Sequence, residues 1–333
     1  MTQQVKRLTV PAGASFLQRL TGDRPARPVY VALALLVLLG WLLFALDGAW
    51  FLSQENIVGI QQRSAALGIV AVGQTLVILA GSLDLSVAYL ISLTSLVAAE
   101  IMAGAGARVP VAIAAVLAVS ALAGLVNGLI VTKLRVHAFI ATLGVALIIR
   151  GVLDERYDGP AGNVPESFQH LGYDRIGPVP VSALLLAAVA ASAALLLGRT
   201  RLGYRIYAVG GDAEVARLSG VRTERVIVTA HVLCSICAGI AGLLLASRLG
   251  AGAPTVGTDG GYDLESIAAV VLGGTALAGG RGGVAGTVGG VLVLAVLDSI
   301  FNQLEIDSFA KDVVRGVVLV AALAIYARGR RKQ

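Results

Sequence analysis

Of the 333 residues, 57% are hydrophobic and only 14% are charged, with a mean hydropathy of +0.84. A water-soluble domain of that balance would expose apolar patches far larger than soluble monomers carry, so composition excludes one and makes lipid the solvent for most side chains. The net charge of +6 comes from basic residues scattered between apolar segments, not from a stripe, which argues against a phosphate-tracking surface and a nucleic-acid partner.

The first 27 residues are polar, carry no periodic pattern and read as a cytoplasmic N-terminal segment. Lys6 and Arg7 stand ahead of an apolar run in the manner of a signal peptide. That run begins at Pro28 and lasts to about Asp47, long enough to cross a bilayer, so it reads as a span and not a cleavable leader. Further apolar stretches follow at 65–81, 86–104, 110–131, 138–154, 180–198, 226–246, 265–279, 283–300 and 309–327. The pattern predicts an all-α, polytopic membrane bundle of about ten transmembrane helices, forming a single domain over 28–327 with a cytoplasmic tail at 328–333. The second and eighth stretches are short and bordered by glycine, as expected of segments held inside protein around a pathway.

Lys and Arg set the orientation of such a chain. With both termini inside, 18 of the 26 basic residues fall on inner segments, among them Lys133, Arg135 and the six arginines from Arg199 to Arg225. Gly124 and Gly128 stand four apart, and Gly282, Gly286 and Gly290 repeat that spacing, which lets helix backbones approach and reads as helix packing. Leu134 to Phe139 overlays Leu304 to Phe309, each segment opening an apolar span. Because the two lie on opposite sides in this topology, the repeat is expected to be inverted, as in transport folds with a pathway between two halves.

Little in the chain suggests chemistry. Gly273 to Arg281 is glycine-rich but lacks the Gly-Lys-Ser/Thr ending that cradles nucleotide phosphates. His137, His170 and His231 are scattered, so no catalytic residue and no metal site is assigned. Cys234 and Cys237 lie one turn apart in an apolar segment and read as packing residues. Polar residues inside spans are costly in lipid unless they pair or line a wet cavity, which singles out Gln74, Asp84, Ser86, Asn127, Thr142 and Asn302 as candidates for a substrate pathway. The span boundaries place no carboxylate at mid-membrane, where an ion-coupled secondary transporter would need one. Asp298 and Arg315, near outer helix ends, read as a candidate ion pair.

Two loops stand out. The inner loop 199–225 holds a segment with the marks of a short helix: Asp212 as N-cap, Glu214 at the positive end, Val215 and Leu218 on one face, and Gly220 as a left-handed stop. A helix this short needs a surface to lie on, so the segment reads either as a docking element or as an ordinary basic loop. The outer loop 155–179 carries mixed charges and suits electrostatic docking of a soluble protein, or is simply a solvated loop.

Gly210 to Val221 is accompanied, in order along the chain, by Gly81-Ser82-Leu83-Asp84-Leu85-Ser86, by Phe139-Ile140-Ala141-Thr142-Leu143-Gly144, and by Ala268 to Gly274 followed by Ala278 to Gly282. Together these resemble the permeases of ribose/xylose/arabinose-type ABC importers over residues 60–327. Ala88 stands where that family commonly has Gly, and Arg315 where many members have Lys. The resemblance implies a multi-pass permease of the bacterial inner membrane, with both termini cytoplasmic, that moves a pentose- or hexose-like monosaccharide. It implies a second permease subunit, a copy or a paralogue, together with two ATP-binding cassette subunits and a periplasmic sugar-binding protein. ATP and magnesium would then sit on the partner subunits, with no cofactor in this chain. Gly211, Asp212, Glu214, Val215, Arg217, Leu218, Ser219 and Gly220 would couple to the ATPase, and the neutral hydroxyls and amides in the spans suit a neutral sugar. Within the family, nucleosides, polyols or a furanosyl quorum signal are alternative cargoes.

Overall fold

The computed structural model describes residues 26–45 and 50–307, with a few further positions between 310 and 317. The tail, almost all of the N-terminal segment and most of the 309–327 stretch lie outside the described residues, as does Arg315. The helices are α1 Ala26–Ala45, α2 Gln54–Leu79, α3 Val87–Met102, α4 Val109–Lys133, α5 Ala138–Arg156, α6 Glu166–Tyr173 and α7 Val181–Arg199. Then come α8 Arg201–Gly211, α9 Ala213–Leu218, α10 Thr223–Leu249, α11 Val256–Asp259, α12 Tyr262–Leu272 and α13 Val284–Gln303. A two-residue antiparallel hairpin, β1 Arg175–Ile176 with β2 Val179–Pro180, precedes α7. Among the described residues, α1, α2, α4, α7, α10 and α13 are long and apolar enough to cross a membrane, and α3 is a shorter apolar helix.

Two span boundaries differ from the sequence reading. The second span is not short: α2 runs for 26 residues, because Ser53 caps it by accepting from Asn56 N, and its polar first turns, Gln54 to Arg63, are helical although too hydrophilic for a hydropathy window. The eighth ends earlier than expected: α12 stops at Leu272, and Gly274 takes a positive φ of 84° that turns the chain out of the helix.

Burial sorts the helices into an inner and an outer set. In α2, 89% of the spanning window is inside the protein, against 17% in α1 and 22% in α4 and in α7. The outward faces of α1, α4, α5 and α7 carry Leu35, Leu42, Leu122, Ile148, Val152 and Leu184, all exposed, which is stable only against hydrocarbon.

The inner helices reveal a repeat far longer than the six residues visible in the sequence. The last residues of α2, α3 and α4, namely Leu79, Met102 and Lys133, recur 170 positions later as the last residues of α10, α12 and α13, namely Leu249, Leu272 and Gln303. Arg135 and Glu305, also 170 apart, are both non-glycine residues in the left-handed region, with φ of 56° and 53°. The halves interlock, since α10 packs on α3 and α4 while α2 packs on α12 and α13.

The repeat is inverted. α2 ends where Leu79 O accepts from Gly280 N at 3.0 Å, beside α8 and α9, whereas α10 begins at that face, with Glu224 ion-paired to Lys133. At the opposite face α10 ends, where Arg248 O accepts from Tyr173 Oη at 2.6 Å and Arg248 Nη1 reaches Gln62 O in the early turns of α2. One end of the bundle therefore carries α8 and α9, and the other carries α6 and the hairpin.

Candidate functional site

The α9 end is built from a short helix with strong local signals. Asp212 takes an extended backbone, and its Oδ1 accepts from Glu214 N at 2.9 Å and Val215 N at 3.0 Å, satisfying donors the helix cannot. Gly220, with φ of 82°, stops it, while Val221 N returns to Ala216 O at 3.0 Å and Ser219 Oγ donates to Val215 O. Arg217 and Glu214 pair on the surface at 2.6 Å. Val215 and Leu218 are exposed, the latter by 78%, so α9 presents an uncovered apolar face.

Beneath α9 lies a junction of three chain segments. Gly210, on the last turn of α8, sits so close to Leu79 O and Gly280 N that a Cβ there would overlap the carbonyl oxygen. Gly279 and Gly280 hold positive φ values of 90° and 71° against Gly210 and Gly211, and Tyr207 Oη donates to Gly282 O at 2.9 Å. Burial pushes the Tyr207 phenol above its ordinary range, which keeps it a donor. Gly211 itself faces open space.

From that junction the chain enters the α2–α3 turn, where a buried polar cluster forms. Asp84, fully buried, accepts from Ser86 N at 2.9 Å, Ser86 Oγ at 2.6 Å and Asn127 Nδ2 at 3.3 Å. Gln74 Nε2 donates to Asp84 O at 2.6 Å, and Thr142 Oγ1 accepts from Leu85 N at 3.1 Å. Five of the six residues singled out for a pathway, Gln74, Asp84, Ser86, Asn127 and Thr142, are thus drawn from α2, the turn, α4 and α5 into one network with no exposed surface. Asn302 is elsewhere: it sits at the far end of α13 and accepts from Lys311 Nζ at 2.7 Å.

Two members of the cluster, His231 and Cys234, have no local signal in the sequence. His231 Nε2 is 2.8 Å from Ser82 Oγ, its Nδ1 is 3.5 Å from Asp84 Oδ2, and Cys234 Sγ is 3.8 Å from Gln74 Oε1. His231 and Cys234 lie on α10, in the other half of the repeat, so nothing near them in sequence hints at their partners. The one available clue is that a carboxylate sunk in an apolar bundle requires donors, and a histidine in an apolar helix is a natural source.

The small-residue stripes take different positions. Gly124 and Gly128 bring α4 against the backbone of α10 at His231–Val232 and Val228, while Gly286 and Gly290 bring α13 against Gly273 and Ala269 of α12. Gly282 does not belong to that stripe: it precedes α13, with φ of 130°, and abuts Thr275 in the loop. Cys234 and Cys237 are free thiols buried in α10. Among the described residues no group of side chains is suited to hold a metal ion.

Residues 56–323 match the family described as "Branched-chain amino acid transport system / permease component". The ribose import permease protein RbsC of Escherichia coli K12 is 41% identical over 280 residues, covering 83% of this chain and 86% of the relative. The ribose import permease protein RbsC of Bacillus subtilis 168 is 36% identical, covering 83% and 85%, and the L-arabinose transport system permease protein AraH of E. coli K12 is 37% identical, covering 83% and 84%. The chain belongs to the permease family of ABC-type sugar importers. No solved structure matches it. In this permease the recognisable motifs converge in space. Gly81 to Ser86 forms the α2–α3 turn, Phe139 to Gly144 opens α5 beside it, and Gly210 meets Gly279 and Gly280 at the base of α9. Ala88, on α3, is buried with its carbonyl pressed on Gly257.

Proposed function

We propose that this chain forms the translocation pathway for a monosaccharide across the bacterial inner membrane, the sugar being delivered by a periplasmic binding protein and the cycle driven by two separate ATP-binding subunits. In this reading the α9 end is cytoplasmic, as are both termini. Lys133, Arg135, Arg201, Arg205, Arg217, Arg222, Arg225 and Arg281 gather on segments at that end, which is the side where basic loops are retained. ATP and its magnesium belong to the partners, and a second permease subunit completes the channel.

The observation that carries the reading is α9: a capped, six-residue helix with Val215 and Leu218 exposed, standing on a backbone junction that leads into the polar turn around Asp84. An apolar helix face on a cytoplasmic surface is a docking element, and closure of the partner subunits would tilt it and shift the population between inward and outward states. The test is the double substitution Arg217→Glu with Leu218→Asp in the reconstituted importer. Uptake of radiolabelled D-ribose into proteoliposomes is expected to fall by about tenfold or more while the ATP-binding subunits keep hydrolysing. Unchanged uptake rejects the role of α9.

One observation favours a second reading. Asp84 is a carboxylate buried within the bundle, the feature an ion-coupled transporter uses. Uptake that survives ATP depletion and collapses with an ionophore would establish that alternative.

A further inference from the structure

The α2–α3 turn and its repeat partner, the 250–256 segment after α10, occupy equivalent places in the two halves but are tied down by different groups. The second is held by neutral hydroxyls: Ser95 Oγ accepts from Ala253 N at 3.2 Å and Ser92 Oγ from Gly257 N at 3.0 Å. Moving 170 positions along the chain sets Ser82, Asp84 and Ser86 against Gly252, Pro254 and Val256, Asn127 against Leu297, and His231 against Gln61. None of these five counterparts can carry a charge. The architecture positions the 250–256 segment without a counterpart of either Asp84 or His231, so the pair at the other end is an addition to the fold and not a condition of it.

The chemistry of that addition is specific. An ionised carboxylate out of water needs donors and an opposing charge. Asp84 has donors from Ser86 and Asn127, and among its partners in the described residues only His231 can be positive. The 3.5 Å separation is at the long limit of a hydrogen bond, so small movements of α10 change it at little cost. The second ring nitrogen holds Ser82, three residues beyond Leu79, whose carbonyl receives Gly280 and abuts Gly210 at the foot of α9. Displacement of α9 therefore reaches the imidazole through one short stretch of chain.

We infer that His231 is a positioning residue of the transport cycle, gripping Asp84 with one nitrogen and Ser82 with the other to keep the α2–α3 turn shut until the coupling helix moves. The inference rests on the coupling role proposed for α9. It differs from that role in naming what α9 releases: a carboxylate–histidine latch with no counterpart at the equivalent positions of the other half.

The test uses the whole importer, with its ATP-binding subunits and binding protein, in proteoliposomes. In His231→Leu, ATP hydrolysis without sugar-loaded binding protein is expected to rise by about fivefold, and stimulation by the loaded protein to disappear, because the resting state is no longer favoured. Ser82→Ala, which keeps the Asp84–His231 contact, is expected to show a smaller rise and carries the test if the first variant does not assemble. Cys234 and Cys237, the two cysteines of the chain, are both buried on α10 beside the latch and give a second readout. Their N-ethylmaleimide labelling in this subunit should be slow in resting wild type and faster in both variants. A purely structural role would lower yield and all activities in proportion, leaving the ratio of stimulated to basal hydrolysis at the wild-type value; that result, or unchanged thiol labelling, overturns the latch. If the wild-type complex hydrolyses no ATP, the coupling reading itself fails and the latch with it.

Discussion

Gly210 and Leu79 meet backbone to backbone, with no room for a side chain between the foot of α9 and the last carbonyl of α2. Any Cβ at 210 must push the two segments apart. Overpacking of a tight contact costs about 1–3 kcal/mol and moves backbone, so Gly210→Ala is expected to lower the melting temperature and to separate ATP hydrolysis from sugar uptake. Gly151→Ala is the matched control, since that glycine inside α5 faces open space and alanine is favoured over glycine within a helix by about 0.5–1 kcal/mol. Uptake per ATP hydrolysed, measured in both variants, checks the prediction: a drop in Gly210→Ala alone supports the junction, and equal ratios reject it.

The cap of α9 makes a second prediction. Asp212 Oδ1 holds two backbone donors of a helix too short to persist without help. Asp212→Ala removes about 1 kcal/mol of helix stability, and Asp212→Asn, which keeps a cap acceptor, removes much less. Transport rate at saturating ATP should therefore fall in the alanine variant and largely recover in the asparagine variant. Equal loss in both would mean that the charge of Asp212 matters, not its cap.

The cap and the spans could be read from sequence because both are local. Asp212, Glu214 and Gly220 lie within nine residues of one another, and α4 and α7 are apolar over whole lengths, so composition alone locates them. The start of α2 was hidden because Gln54, Glu55, Gln61, Gln62 and Arg63 make a helical segment that no hydropathy window admits. The gathering of Gln74, Asp84, Ser86, Asn127 and Thr142 followed only in part: each is costly in lipid, but that cost does not say where the partner lies. His231 is one of three scattered histidines in the sequence, and its partners, Ser82 and Asp84, are 149 and 147 residues away. The interlocked repeat shows why, since α10 crosses into the opposite half to meet the α2–α3 turn.

The glycines at the α4–α10 contact should tolerate no bulk, in contrast to a glycine of α5 that faces outward. A Cβ on Gly124 would lie 2.6 Å from His231 O and from Val232 Cα, whereas Gly144 has nothing within 4 Å. Gly124→Leu is expected to destabilise the protein by about 3 kcal/mol or more, through separation of two backbones that close packing holds together. Gly144→Leu should be nearly neutral in the isolated subunit, adding an apolar side chain to an already apolar face. Thermal melting in detergent distinguishes them; similar melting of both variants would contradict the packing assigned to α4 and α10.

At the opposite end, the segment from Tyr157 to Pro180 is anchored on one side and charged on the other. Tyr173 Oη donates to Arg248 O, Val164 N to Gly250 O and Ala161 pairs with Gly252, which fixes the backbone of α6 and its approach to the end of α10. Glu166, Asp174 and Arg175 remain exposed, and His170 spends one nitrogen on Asp174 at 3.0 Å. A preorganised surface with charges of both signs favours encounter with a complementary soluble protein, and the Debye length shrinks from about 10 Å at 0.1 M salt to about 3 Å at 1 M. Association of the binding protein with the reconstituted importer is therefore expected to slow several-fold over that range, with dissociation changing less. Glu166→Lys together with Asp174→Lys should alter the salt slope of the association rate while leaving melting unchanged. A rate independent of salt, or a slope the double variant does not move, would show that docking is carried by apolar contact elsewhere on this face.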